Sequence, residues 1–159
     1  MVDLYDIDSN ISYEQIQTTL DRAIKTKDPK IFKEVLEMLN YYYEEFEKSS
    51  VLCVILEETS KKKIVKKVFK VATTLWEAEF ATDVFTSIIF ATKSKKIIKK
   101  VLKEVAKIDD EYFVVQFLKI TVKRIYSLEN KALNAQMIQI INNLYSKKDK
   151  KELLALIQH

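Results

Sequence analysis

The sequence contains no glycine, and it has only one cysteine, one proline and one histidine. The lack of glycine excludes a glycine-rich phosphate loop or dinucleotide fingerprint, because both motifs need residues without a Cβ where the backbone approaches the phosphates. Cys53 cannot form an intramolecular disulfide, and its apolar neighbours in residues 51–56 predict a buried, unreactive thiol. His159 is the only histidine, so zinc sites of Cys and His and Ser/His or Cys/His catalysis lack their residues. We therefore expect neither an enzyme nor a cofactor or metal ion.

Long hydrophobic runs are also missing from the sequence. No apolar stretch approaches the roughly 18 residues that a membrane span requires, and residues 1–6 carry acidic side chains where a signal peptide would carry basic ones. We expect a single domain without a membrane partner, located in the reducing environment of a cytoplasmic compartment.

What the sequence does contain is a repeat. Three segments that begin at Ile31, Ile64 and Ile97 share their pattern of apolar and basic residues and start at equal intervals, each preceded five positions earlier by a threonine. A fixed period, here of about 33 residues, is typical of a solenoid built from helical units, and no strand-like alternation occurs. We predict an all-α fold, a short α-solenoid of about three to four stacked helix pairs with an N-terminal capping helix.

Polar caps separate the predicted helices. Ser12 and Gln15 fit a capping box, and Asp28 followed by Pro29 is a strong helix start. In the first repeat we predict that the first helix continues through Tyr43 and that the second begins at Ser49 or Ser50. The predicted units are an acidic arm at 1–11, a capping helix at 12–26, repeats at 27–59, 60–93 and 94–127, and a looser C-terminal helix pair at 128–159.

In the second repeat, the first helix is predicted to run to about Glu77 and the second to begin near Thr82. Two-helix units of this kind, with Asp28 and Pro29 opening the first unit and an apolar and basic ladder that recurs in the later ones, resemble the HEAT and armadillo group of α-solenoid proteins. The resemblance covers roughly residues 27–126. It implies a curved binding scaffold and transfers no site residues.

The openings of the second and third repeats are strongly basic. Residues 60–72 carry six lysines and no acid, and residues 93–107 carry seven lysines and Glu104. Because apolar residues occupy positions i, i+1, i+4 and i+5, the lysines between them are predicted to project from the opposite helix face. Stacked units would place both rows side by side in a lysine plate. Such a plate suits nucleic acid or another polyanion, and the alternative is a solvated face. The lysine plate consists of Lys62, Lys63, Lys66, Lys67, Lys70, Lys95, Lys96, Lys99, Lys100 and Lys103.

Aromatic residues form a second candidate surface. If Tyr41, Tyr42 and Tyr43 lie on one helix, they cannot all face one core, so at least one is expected to be exposed for a partner protein or for base stacking. The alternative is that the N-terminal helix or arm covers them. Trp76 either packs in the core or between repeats, or it is an exposed anchor for a partner.

These features support two functions of different classes. The first is a non-catalytic interaction module, a small helical scaffold or subunit of a larger intracellular assembly with another protein as its partner. The second is a sequence-independent DNA- or RNA-binding protein that uses the lysine plate as a phosphate clamp. The sequence leaves a homo-oligomer open, and it raises the hypothesis that the acidic arm competes with nucleic acid for the lysine plate.

Overall fold

A computed structural model describes residues 11–158, so the predicted acidic arm, apart from Ile11, and His159 lie outside the described residues. Over this range the chain forms nine α-helices and no strand, which confirms the prediction of an all-α helical stack. The helices are α1 Tyr13–Thr26, α2 Pro29–Leu39, α3 Glu45–Glu58, α4 Lys62–Ala72, α5 Ala78–Ala91, α6 Lys95–Val105, α7 Glu111–Tyr126, α8 Lys131–Asn143 and α9 Lys147–Ile157.

The helices pack as successive pairs in two layers. The first layer contains α2, α4, α6 and α8, and the second layer contains α3, α5, α7 and α9. In the second layer α3 packs on α5, α5 on α7 and α7 on α9. Helix α1 packs on both α2 and α3 and closes the first end of the stack. Each pair is joined by a short connection, so the connections from the first layer to the second all lie along one edge.

The core lies between the two layers, and the sequence repeat explains its composition. Val35, Val68 and Val101 occupy the same position in α2, α4 and α6, and all three are completely buried. Their apolar neighbours one turn away fall on the same helix face, because positions three and four apart are adjacent on an α-helix. The repeat in the sequence is therefore a repeat of the core.

The repeated threonine closes the connections that lead into the first-layer helices α2, α4 and α6. The Oγ1 atoms of Thr26, Thr59 and Thr92 accept hydrogen bonds from the backbone N–H two residues later, at 3.4, 3.2 and 3.0 Å. This is the hydroxyl version of an Asx turn, and it orders a reversal without glycine. The sequence period is thus marked in the turns as well as in the core.

Both predicted caps are confirmed, and a third cap precedes α7. Ser12 and Gln15 form the reciprocal hydrogen bonds of a capping box at the start of α1. The Asp28 carboxylate accepts from the Lys30 N–H in front of α2, and Pro29 is its first residue. Asp110 likewise caps α7 by accepting from the backbone N–H two residues later.

Other predicted boundaries were wrong. Helix α2 ends at Leu39, so Tyr41 to Tyr43 lie in the connection that follows, and α3 begins at Glu45 instead of Ser49 or Ser50. Helix α4 ends at Ala72 instead of near Glu77, and α5 begins at Ala78 instead of Thr82. In both connections apolar residues near the turn suggested a continuing helix. Contacts with earlier parts of the chain hold the turns instead, because Tyr42 stacks on Tyr13 of α1 and Glu45 of α3 accepts hydrogen bonds from the connection after α4.

The fourth helix pair departs from the period, since α8 begins three residues later than the interval between α4 and α6 would place it. The extra residues follow α7 and include Glu129, whose φ of 51° is left-handed. Lys27, at the end of α1, has a similar φ of 55°. Left-handed backbone usually calls for glycine, so a chain without glycine places charged residues at these two helix ends.

Candidate interaction surfaces

The lysine plate lies on the outer side of α4 and α6. Nine of its ten side chains are exposed and Lys67 is half-buried, while the apolar residues between them face the core. Within residues 11–158, Lys67 is the only plate lysine in an ion pair, with its Nζ 3.6 Å from a carboxylate oxygen of Glu37 in α2. Glu104, the one acid in this segment of α6, pairs instead with Lys107 at 2.8 Å. The charge of the plate is therefore almost uncompensated.

The two rows of the lysine plate are linked through α5, which packs on both α4 and α6. In the layer of α2, α4, α6 and α8, α2 packs closely on α4 and α6 packs closely on α8. The neighbouring helices α4 and α6 have the least contact with each other. Repulsion between two rows of like charge opposes a closer approach. The plate is therefore two rows on adjoining repeats and not one tightly joined surface.

The three consecutive tyrosines have three different surroundings. Tyr41 and Tyr43 are exposed, as expected for at least one of the three, although they lie in a connection and not on one helix. Tyr42 is half-buried, with its ring stacked on Tyr13 of α1 at 6.0 Å and its hydroxyl hydrogen-bonded to Glu47. Helix α1 thus covers one ring of the three and leaves the other two in solvent.

Trp76 is not a core residue. Of the two alternatives for Trp76, packing in the core or between repeats is excluded, because the residue lies in the connection between α4 and α5 with its side chain in solvent. Tyr43 stands one sequence period before it, in the preceding connection, and Tyr145 occupies the matching place before α9. The three residues are 89%, 81% and 91% exposed. One edge of the stack therefore presents an aromatic ring at the same place in three of its four connections.

Two further exposed rings lie on the same edge, in the first turns of second-layer helices. They are Phe46 in α3 and Tyr112 in α7. Phe46 packs edge-on against Phe80 of α5 at 5.9 Å, and Tyr112 packs edge-on against Phe113 at 5.1 Å. We define the aromatic edge as Tyr43, Phe46, Trp76, Tyr112 and Tyr145.

Carboxylates of the preceding repeat hold two of the connections that carry these rings. Glu45, the first residue of α3, is buried and accepts from the backbone N–H groups of Trp76 and Glu77, both at 2.9 Å. Glu111, the first residue of α7, accepts from Tyr145 and Ser146 at 2.6 and 2.9 Å. In each case a carboxylate of one repeat fixes the next connection, so the rings are displayed from ordered backbone. Burial lowers the pKa of the nearby Lys48 ammonium, and the charge of Glu45 offsets part of that effect.

The surroundings of the aromatic edge are acidic over its first three connections. The exposed carboxylates there are Glu44, Glu77, Glu79, Asp109 and Asp110. The exposed base among them, Lys107, is paired with Glu104. At the fourth connection the charge reverses, with Lys147 and Lys148 both exposed. The edge thus differs in sign from the lysine plate on the same molecule.

A shallow groove opens on this edge between the third and fourth connections. Its apolar lining includes Ile108, Val114, Ile140 and Leu144, and Asp109 and Tyr145 stand at its rim among the lining residues. The groove lies beside the third connection, in which Asp109 occupies the position that an aromatic residue has in the other three connections.

The sequence predicted Tyr43 and Trp76 as candidate partner-surface residues, whereas Phe46, Tyr112 and Tyr145 were not predicted. The signal was present, because Tyr43 and Trp76 are separated by the same interval as the repeated isoleucines. Tyr145 was hidden by the three additional residues before α8. Exposure itself could not be deduced, since an aromatic residue at a predicted helix end is compatible with either a core or a surface position.

Outside these surfaces, the described chain offers few candidate reactive or ligand-binding groups. Cys53 is half-buried, its Sγ lies 3.4 Å from the Ser87 hydroxyl, and burial raises the pKa of its thiol. Within residues 11–158, no cluster of three or more His, Cys, Asp or Glu side chains is arranged to hold a metal ion. Over the same range, none of the helices combines the length and the apolar character that crossing a membrane requires.

Comparison with known proteins gives no relative: no protein-family model, curated protein or solved structure matches the chain. The fold and surfaces therefore define the class to which the protein is assigned. It is an all-α stack of helix pairs, compatible with a helical-repeat architecture, with an aromatic edge and a separate basic face.

Proposed function

We propose that the protein is a non-catalytic interaction module, a small scaffold or subunit of a larger assembly, which binds another protein through its aromatic edge. The observation that carries this proposal is the placement of Tyr43, Trp76 and Tyr145 at equivalent positions, each more than four-fifths exposed. The resemblance to HEAT and armadillo proteins supports it, because stacked helix pairs form extended binding surfaces.

Exposed rings on fixed backbone are well suited to binding. Tyr and Trp are enriched among the residues that dominate protein interfaces, since they bury a large apolar area and carry a polar group. The carboxylates of Glu45 and Glu111 order the connections before any partner arrives. Preordering lowers the conformational entropy that is lost on binding.

The test is affinity capture from the host lysate with wild-type protein and with the triple variant Tyr43→Ser, Trp76→Ser, Tyr145→Ser. We expect the wild-type protein to retain a defined set of proteins that the triple variant loses by at least about tenfold, because three anchors of on the order of 1 kcal/mol each weaken the affinity by about a hundredfold. Quantitative mass spectrometry measures the retained amounts. The matched control is Tyr126→Ser, which removes an exposed tyrosine at the opposite end of α7.

Circular dichroism should show the same helix content in all of these variants, since exposed side chains contribute little to stability. Equal capture by the wild-type protein and the triple variant contradicts the proposal.

A second candidate function is sequence-independent nucleic-acid binding by the lysine plate. The observation that favours it is the near absence of compensating carboxylates, with Lys67 the one plate lysine in an ion pair within residues 11–158. Unpaired lysines at helical spacing repel one another, and phosphates would relieve that repulsion while counterions are released. The scarcity of arginine, with only Arg22 and Arg124 in the chain, suits backbone contacts better than base readout.

Fluorescence anisotropy with labelled single- and double-stranded oligonucleotides tests this function. We expect saturable binding at about 50 mM salt that weakens steeply by about 200 mM. Reversing four charges, with Lys66→Glu, Lys67→Glu, Lys99→Glu and Lys100→Glu, should reduce the affinity by about tenfold or more. The triple aromatic variant is the control and should bind as wild type does. Absence of binding at the lower salt concentration assigns the lysine plate to solvation.

A further inference from the structure

We propose that the aromatic edge recognises an extended, arginine-rich segment of its partner, with arginines at every third residue. This inference rests on the proposed function of the edge and adds the chemistry of the bound segment. It comes from two observations on the described residues, the sign of the charge beside the rings and the groove between the third and fourth connections, together with the usual spacing of packed helices.

The charge beside the rings selects a cationic partner. Glu44 and Glu77 are exposed at matching places beside Tyr43 and Trp76, and Asp109 is exposed at the place that a ring would occupy in the third connection. A guanidinium can stack on an aromatic face and donate two parallel hydrogen bonds to a carboxylate, which an ammonium cannot do. The same carboxylates repel phosphate, so nucleic acid is directed away from this edge and toward the lysine plate.

The spacing of the repeats predicts how far apart the arginines of the bound segment lie. Helices of one layer pack about 8 to 10 Å apart, so equivalent positions in neighbouring connections are separated by about that distance. A polyproline II segment rises about 3.1 Å per residue with three residues per turn, which places every third side chain on one side at intervals of about 9 Å. Arginines at every third position can therefore meet Tyr43, Trp76 and Asp109 in succession.

The groove accommodates the third of these arginines. At the third connection Asp109 replaces the ring, and the groove beside it is lined by Ile108, Ile140 and Leu144. An arginine has an aliphatic stem that packs on apolar surface while its charged end remains at the rim. The stem would lie in the groove with the guanidinium against Asp109. Lys147 and Lys148 at the fourth connection then repel any further cation and mark the end of the bound segment.

The test uses a synthetic peptide of about twelve residues with arginine at every third position and proline or serine between. An isomer of the same composition, with its arginines contiguous, is the matched control peptide. Trp76 is the only tryptophan and is largely exposed, so its fluorescence reports occupancy of the edge directly. We expect saturable quenching or a shift of the Trp76 emission, with the spaced peptide binding about tenfold more tightly than its isomer.

Protein variants complete the experiment. With the peptide labelled for anisotropy, Trp76→Ser should weaken binding of the spaced peptide by about tenfold. Glu77→Gln combined with Asp109→Asn should weaken it to a similar extent and reduce its salt dependence. Tyr126→Ser should leave it unchanged. Equal affinity for the two peptides, or no effect of Trp76→Ser, would show attraction by overall charge alone and would overturn the inference.

The inference and the proposed function can fail separately. If the triple aromatic variant loses its captured proteins but neither peptide binds, the aromatic edge is a protein-binding surface with a different partner chemistry, and the inference fails. If the spaced peptide binds but capture does not depend on the edge, the inference stands as peptide chemistry and the proposed function fails.

Discussion

Replacing Phe117 with alanine is expected to lower the free energy of unfolding by about 3 to 5 kcal/mol. Phe117 is among the largest fully buried side chains, on α7, which packs against α5 on one side and α9 on the other. In a stack of helix pairs each unit is stabilised mainly by its neighbours. A cavity in α7 therefore weakens contacts toward both ends, and the surrounding helices can relax only in part.

Urea unfolding followed by circular dichroism measures this effect, with the change read from the midpoint at constant slope. Ile120→Ala is the matched control, since Ile120 lies on the same helix with more than half of its side chain in solvent. It should change the free energy of unfolding by no more than about 0.5 kcal/mol. A loss below about 1 kcal/mol for Phe117→Ala would contradict the packing of α7 in the middle of the core.

Replacing Glu45 with alanine is expected to lower the free energy of unfolding by about 2 to 3 kcal/mol. The carboxylate accepts two backbone hydrogen bonds from the next repeat while buried, and charged acceptors form stronger hydrogen bonds than neutral ones. Its removal leaves the N–H groups of Trp76 and Glu77 without their partner. It also leaves the buried Lys48 without the nearby charge that opposes the lowering of its pKa.

Glu44→Ala provides a matched control one residue away. Glu44 is the exposed N-cap of α3 and its side chain makes no capping hydrogen bond, so its loss should change stability by about 0.5 kcal/mol or less. Glu45→Gln should have an intermediate effect, because the amide keeps one acceptor oxygen and turns a donor toward the second N–H. Equal stability of the two alanine variants would mean that the carboxylate does not hold the connection. Hydrogen exchange at Trp76 and Glu77 gives an independent measure of that order.

The repeat in the sequence predicted the stack because burial imposes a periodic requirement on every pair. Val35, Val68 and Val101 must each fill the same space between two layers, so the apolar pattern recurs with the helices. The turns were also predictable where a side chain caps them locally, as at Asp28 and at the threonine before α2, α4 and α6. Such features depend only on residues close together in the chain.

The connections on the aromatic edge could not be predicted from residues close together in the chain. Glu45 sets the connection that carries Trp76 from 31 residues away, and Glu111 sets that of Tyr145 from 34 residues away. A local pattern contains no record of these hydrogen bonds, so the end of α4 was misplaced near Glu77. For the same reason Tyr42, stacked on Tyr13, could not be told apart from its two exposed neighbours.

The sequence by itself determined the all-α class, the period and the face on which the lysines project, because helical spacing and burial act on residues within one or two turns. Only the tertiary structure decided that Trp76 lies in solvent and that Tyr43, Trp76 and Tyr145 line one edge. It also decided that α4 and α6 are joined through α5. Exposure and the separation of helices depend on which repeats pack together, and that information resides in contacts between residues far apart in the chain.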